Sequence, residues 1–248
     1  YKMPFLSGMQ WKQIFNAKKC GLFTFSIKRF CDYSVLEDKT DRAWCLMRAK
    51  LGLKKPPFYL LRKSSVFLYE SCTDGVELID FFKVIHLPDT FVSWFSVTRW
   101  HVWMVACRCM AIESTGLVIR NQLFERMWED TSNRLDKLHY IKRRQKFSFM
   151  QDFNSQFAAT LFGLDEGILS SDIVLAGALW RNLLGISEEV VDPVVLDFMI
   201  QYSRLQLNHL FSDISDSQIL LNGKIHWKNL DSISSEFHNS KRIKHPIS

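Results

Sequence analysis

Two closely spaced cysteines near a histidine, and two adjacent pairs of carboxylates, are the residues whose types and spacing come nearest to chemistry. Cys107-x-Cys109 follows His101 and looks suited to a metal. On a helix, however, residues two apart point about 200° apart. One ion cannot take both thiolates without unwinding the chain, so the competing reading is buried thiols acting as small hydrophobes. Glu129-Asp130 and Asp165-Glu166 are the acidic pairs. Carboxylates that hold magnesium and a diphosphate must repeat at three- to four-residue intervals on one face. Asn133 and Arg134 stand at those positions after Glu129, so the acids read as helix caps or as partners of Arg126, Arg134 or Arg181. A di-iron bundle needs two Glu-x-x-His pairs; the nearest approach is Asp136-x-x-His139. The motifs H-E-x-x-H, G-x-S-x-G, G-x-x-x-x-G-K, G-x-G-x-x-G and C-x-x-C-H are all missing from the chain. No catalytic residue, metal site or cofactor is expected, and His101 reads as a core or interface hydrogen-bonder rather than a haem ligand.

The elements that position these residues come from a 248-residue chain, 47% hydrophobic and 23% charged, with 20 Phe and 8 Trp. That aromatic load supplies a large core with apolar surface left over for a partner. The net charge of +6 and pI near 9.0 suit an anionic neighbour, RNA or an acidic membrane face, or simply a basic surface. Six cysteines without C-x-x-C predict reduced thiols. The longest apolar run, Val102 to Ile112, contains Arg108 and falls short of the roughly 20 residues a span needs, so no transmembrane helix is expected. From Tyr1 to Cys31 there are six Lys and Arg and no acid. This is the pattern of an organelle-targeting segment and its flank, or of a basic arm on lipid or RNA. Tyr1 in place of Met reads as processing or as missing upstream sequence.

Periodicity and caps predict an all-α protein, an irregular multi-helix bundle with an apolar central helix and at most one small C-terminal hairpin. A short helix is expected over 9–19, and Thr40 or Asp41 caps one ending at Leu51. Gly52 and Lys54-Lys55-Pro56-Pro57 then divide a basic extension, 1–57, from the main domain, 58–231; a polar tail occupies 232–248. Within the domain, helices are predicted from Phe58 to Ser71 and from Val76 to Ile85, the latter capped by Thr73-Asp74. Asp89 caps a helix from Thr90 to Glu113 that is apolar nearly all round, and therefore buried or lining a groove. Gly116 separates it from a helix over Val118 to Ile141. Another runs from Arg144 to Gly163. Ser170-Ser171-Asp172 opens one ending at Gly185, and Asp192-Pro193 opens Val194 to Phe211. Asn222-Gly223 marks the hairpin.

Four ordered blocks resemble the ubiquinol–cytochrome c chaperone family. They are Leu68-Tyr69-Glu70-Ser71-Cys72; Leu87-Pro88-Asp89-Thr90-Phe91 continuing to His101-Val102-Trp103-Met104; Met127-Trp128-Glu129-Asp130; and Leu161 to Ser170 followed by Ala178-Leu179-Trp180-Arg181. The match runs from about Leu68 to Trp227. It implies a non-enzymatic assembly chaperone of mitochondrial complex III, stabilising newly made cytochrome b on the matrix side of the inner membrane. It further implies a small helical partner and a position near the mitoribosome exit. Arg99-Trp100 departs from the family's apolar helix, which predicts a helix one-third solvent-facing or docked on an acidic partner. The N-terminal third matches poorly, and no membrane anchor is seen; membrane association would be peripheral. The runner-up is a helical enzyme acting on a prenyl or quinone substrate through Glu129, Asp130 and Asp165.

Client or partner contact is placed on the second and third blocks, at Trp94, Phe95, Arg99, His101, Trp103 and Trp128, since Trp is enriched at binding hot spots; the alternative is that they are core. Glu129, Asp130, Asp165, Glu166, Trp180 and Arg181 are read as the structural part of the motif. Lys137, Lys142, Arg143, Arg144 and Lys146 form the densest basic stretch, facing RNA or anionic lipid, or else water.

Overall fold

The computed structural model describes residues 33–53, 55–139, 141–184 and 192–229. The helix expected over 9–19, the polar tail and the stop at Gly185 lie outside them. After a 3-10 turn, Tyr33–Val35, come α1 (Lys39–Lys50), α2 (Phe58–Thr73), α3 (Leu78–Val84), α4 (Phe91–Met110), α5 (Ser114–Lys137), α6 (Arg143–Leu169), α7 (Asp172–Leu179) and α8 (Pro193–Ser212). A π-type turn, Trp180–Leu184, extends α7. No strand occurs among the described residues; the fold is all-α.

The core is built around α4. Every residue from Phe95 to Cys109 is buried, and α2, α3, α5, α8 and the Trp180–Leu184 turn all pack on this helix. A helix so enclosed must be apolar on every side or must satisfy its polar groups internally. Trp100 Nε1 donates to Ser203 Oγ (3.2 Å). Arg108 donates from Nε to the Leu210 carbonyl (2.8 Å) and from Nη2 to that of Ile214 (3.0 Å), and it pairs with Asp216. It thereby meets one carbonyl in the last turn of α8, which the helix itself leaves open, and a second just past the helix end. The Arg99-Trp100 departure therefore does not turn the helix toward solvent: Arg99 is 3% exposed and Trp100 is fully enclosed.

Several predicted boundaries shift, each for a local reason. Asp38 caps α1, its carboxylate accepting from Thr40 N (2.8 Å), so the cap precedes Thr40 and Asp41. Thr73 and Asp74 end α2 rather than opening α3; Thr73 bonds back to the carbonyl of Tyr69 (3.2 Å). Thr90, not Asp89, caps α4 through Ser93 N (3.2 Å). Gly116 and Gly163 lie inside α5 and α6 rather than ending helices. Asp192 caps α8 as expected, accepting from Val194 N (2.8 Å).

The hairpin at Asn222-Gly223 does not form. Gln218–Asn222 is a π-type turn, closed by the Gly223 amide on the Gln218 carbonyl (2.8 Å). Gly223 takes φ 75°, and a Cβ there would collide with the Ser64 carbonyl oxygen. The reason is that Ile219, Leu220 and Leu221 are consecutive and all buried, which an alternating strand cannot provide. The segment instead lies along α2: Ser64 Oγ donates to the Ile219 carbonyl (2.6 Å), and Trp227 Nε1 to that of Ser71 (2.7 Å). The free thiols Cys45, Cys72, Cys107 and Cys109 are buried.

Candidate functional site

The four sequence blocks converge as structural ties between helices. Asp130 on α5 accepts from Tyr69 of α2 (2.7 Å) and from Arg134 Nε (2.8 Å). The Arg134 guanidinium lies 4.5 Å from the ring centre of Trp94 on α4. One carboxylate thus joins α2 to α5 and, through a cation–π contact, to α4. Glu129 makes only an exposed pair with Arg126 (2.7 Å).

The second tie is Asp165 on α6. It is not at a helix end, as its neighbouring glycine suggests, but within a helix that continues to Leu169. Its Oδ1 accepts from Trp103 Nε1 (2.8 Å) and from the Cys107 thiol (3.7 Å). Burial pushes its carboxyl up to about 7, against the opposing pull of these two donors and of Arg120. Glu166, one residue on, is exposed. Arg181, proposed from sequence as a partner for these acids, is exposed in the π-type turn.

Gly167 sets the approach of α6 to α7. A Cβ there would stand 2.7 Å from Leu175 Cα, so only glycine lets the two helices meet this closely.

Of the six residues assigned to client or partner contact, four are enclosed. Phe95, Arg99, His101 and Trp103 are at most 3% exposed, whereas Trp94 and Trp128 are half-buried. Phe95 stacks on Phe153 of α6, with ring centres 4.4 Å apart, which is why it offers no surface. His101 is a satisfied core residue. The Val97 carbonyl can only accept, so Nδ1 carries the proton and donates to it (2.8 Å); Nε2 then accepts from the Tyr202 hydroxyl (2.8 Å). Burial lowers its pKa to about 4. Arg99 donates to the Asn182 carbonyl (2.8 Å) and stands 5.3 Å from the Phe95 ring centre. Its Nε and Nη1, like Trp128 Nε1, are buried without an acceptor.

Exposure lies elsewhere. Ile173 (84%) and Trp180 (49%) project from α7 and its π-type extension, and Phe162 (45%) from α6. Ile173, Gly177 and Trp180 follow the i, i+4, i+7 spacing of one helix face. Sequence reasoning placed Trp180 in the structural motif and passed over Ile173; the signal was a helix from 172 to 179 with no polar residue after its first position. Of the basic stretch, Lys137, Lys142, Arg143 and Arg144 are exposed. Lys146 turns inward to the Asp136 carbonyl (2.9 Å) and carboxylate (3.5 Å).

The acids do not meet: Asp130 is held by Tyr69 and Arg134, and Asp165 by Trp103 and Cys107. No group of three His, Cys, Asp or Glu is placed to hold a metal among the described residues. No helix there is long and apolar enough to cross a membrane.

Comparison with known proteins assigns this arrangement. The family model described as "Ubiquinol-cytochrome C chaperone" matches residues 83–227. The chain belongs to that family. It is a chaperone family, not a family of enzymes. The match begins after the Leu68–Cys72 block, which still joins the others through Tyr69. Among curated relatives, ubiquinol-cytochrome-c reductase complex assembly factor 1 of Xenopus laevis is 34% identical over 68% of this chain and 83% of its own. The Drosophila melanogaster protein of that name is 36% identical over 73% of this chain and 71% of its own. Protein CBP3, mitochondrial, of Saccharomyces cerevisiae is 32% identical over 65% of this chain and 48% of its own. The crystal structure of the Cbp3 homolog from Brucella abortus superposes with a TM-score of 0.59 at 17% identity, covering 76% of this chain and 98% of that one; the fold is shared. In this chaperone-family chain, the ties through Asp130 and Asp165 hold the bundle, and the apolar face of α7 is left open.

Proposed function

We propose that this chain is a mitochondrial assembly chaperone that holds newly made cytochrome b during biogenesis of ubiquinol–cytochrome c reductase. It works at the matrix side of the inner membrane, beside the mitoribosome exit, with a small helical partner protein. Family membership supports the assembly role, and the curated relatives are named as assembly factors of that complex. The observation that carries the client-holding reading is the outward face of α7. Ile173 is 84% exposed and Trp180 49%, on a helix whose inner side is already packed against α6 and α8. A helix apolar on all sides is ordinarily enclosed, so this one is complete only when a second apolar surface covers it. An unassembled transmembrane segment supplies such a surface.

The test is site-specific photocrosslinking. A crosslinker at Ile173, Phe162 or Trp180 is expected to capture radiolabelled nascent cytochrome b in mitochondria. A crosslinker at Trp94 or Trp128, the surface-reaching residues of the second and third blocks, gives weaker capture or captures the small partner. Strong cytochrome b adducts at Trp94 and Trp128 with none on α7 would move the client surface to the α4–α5 side. No adduct from either set, in a chain that still supports complex assembly, would overturn the client-holding reading.

A further inference from the structure

From Lys137 to Gln151 the chain carries five Lys and Arg and no acid. The structure takes Lys146 out of this set by pairing it with Asp136 and leaves Lys137, Lys142, Arg143 and Arg144 exposed. They sit where α5 turns into α6. The helix that follows is unusual in its first part: no side chain is buried from 143 to 152, and Phe153 is the first that is. Phe147 is nevertheless 56% exposed, in a stretch that a simple solvated face would fill with polar residues. Arg143 and Phe147 lie one turn apart on one face, whereas Met150 already packs on the core and Phe149, 39% exposed, has its ring centre 6.4 Å from that of Phe153. The first turn of α6 also contains no acid, so Lys142, Arg143 and Arg144 stand unrelieved at the positive end of the helix.

We propose that the first three turns of α6 dock on an anionic lipid surface, with Arg143, Arg144 and Lys142 at the phosphates and Phe147 entering the acyl boundary. Bases beside an exposed aromatic ring on a helix surface lie in the interface in this way, and a nearby anionic surface offsets the charge conflict at the helix start. RNA is the less suited partner. It offers phosphates but no apolar layer. Phe147 and Phe149 diverge by about 200° on the helix, so they cannot form one stacking platform for successive bases. The proposal is independent of client holding: it concerns a different face and needs no cytochrome b.

The experiment is flotation of the full chain with phosphatidylcholine vesicles, with and without phosphatidylglycerol. Binding is expected only to the anionic vesicles and is expected to weaken with salt. The double variant R143Q/R144Q should bind roughly 30-fold more weakly, at about a fivefold loss per base. F147Q should lose several-fold at unchanged salt dependence. These side chains are exposed, and circular dichroism of both variants checks that helicity is kept. Unaltered vesicle binding by R143Q/R144Q overturns the proposal. A charge effect with no F147Q effect, accompanied by salt-sensitive binding to single-stranded RNA oligomers, overturns the lipid assignment in favour of RNA.

Discussion

Asp165 and His101 are enclosed in the same core, yet they make opposite demands on pH. The Asp165 carboxyl is raised from 3.8 to about 7, so the unfolded chain releases that proton near pH 4 while the folded chain retains it. Stability from this group is greatest below pH 4 and is lost as pH rises to 7. His101 is lowered from 6.5 to about 4; stability is full above pH 6.5 and lost as pH falls through 4. The two slopes oppose each other over one window, so the wild-type profile hides both. Asp165→Asn should expose them. Relative to wild type, the variant gains stability between pH 4 and 7 by at most roughly 4 kcal/mol and then levels off, as read by urea unfolding at several pH values. A difference that stays flat over that window would mean that the carboxyl titrates normally in the fold. Sequence alone conveyed only part of this. The choice of core over ligand for His101 was legible from the lack of partners at metal spacing. The burial of Asp165 was not, because its acceptor role depends on Trp103 and Cys107, 62 and 58 residues away. Arg99 was read as solvent- or partner-facing for a sound reason, since a buried guanidinium ordinarily finds an acid. Here it finds a single carbonyl and a phenyl ring.

At the scale of elements, caps and periodicity located the helices well but misjudged what their glycines do. Gly163 and Gly167 belong to the block that most resembles the family, and Gly163 was read as a stop because glycine more often ends a helix than fills one. Inside α6 both serve the contact with α7, though unequally. A Cβ at Gly167 meets Leu175 Cα at 2.7 Å, a backbone atom that cannot swing aside, whereas at Gly163 its nearest neighbour is Ala178 Cβ at 3.6 Å. Gly167→Ala should therefore cost about 1–3 kcal/mol, while Gly163→Ala should be neutral or stabilising by up to about 1 kcal/mol through helix propensity. Thermal unfolding of the two variants side by side decides it: equal losses would mean that the helices separate easily and that close approach is not what the glycine serves. The same distinction explains the missing hairpin. Asn222-Gly223 carries turn chemistry, but turn chemistry alone does not say whether a strand or a tight helical turn precedes it. Three consecutive buried residues, Ile219 to Leu221, decide for the latter.

Across the whole molecule, residues from all four family blocks form a connected frame, while Phe162 and Trp180 of the fourth block stay open to solvent. Tyr69, Asp130, Arg134 and Trp94 join α2, α5 and α4, and Asp165 binds α6 to α4. Ile173 and Trp180 of α7 and its extension, and Phe147 near the start of α6, are open to solvent and take no part in that frame. This division was hidden from sequence because a tryptophan at helical spacing looks the same whether it faces a partner or a neighbouring helix. The enclosed thiols carry a practical corollary. Burial raises the thiol of Cys109 to about 12 and pushes those of Cys45, Cys72 and Cys107 upward, so each is inert while shielded. Cys45 is the lone buried side chain of α1, whereas the other three sit in or against α4. With Cys20 and Cys31 replaced by serine, the chain becomes its own stopwatch. Under iodoacetamide, Cys45 should be alkylated first, marking the peeling of α1, and Cys72, Cys107 and Cys109 together and later, at the rate of global opening. Mass spectrometry of the time course would read both events from a single sample, and early alkylation at Cys107 would reveal an excursion of α6 that leaves the rest of the bundle closed.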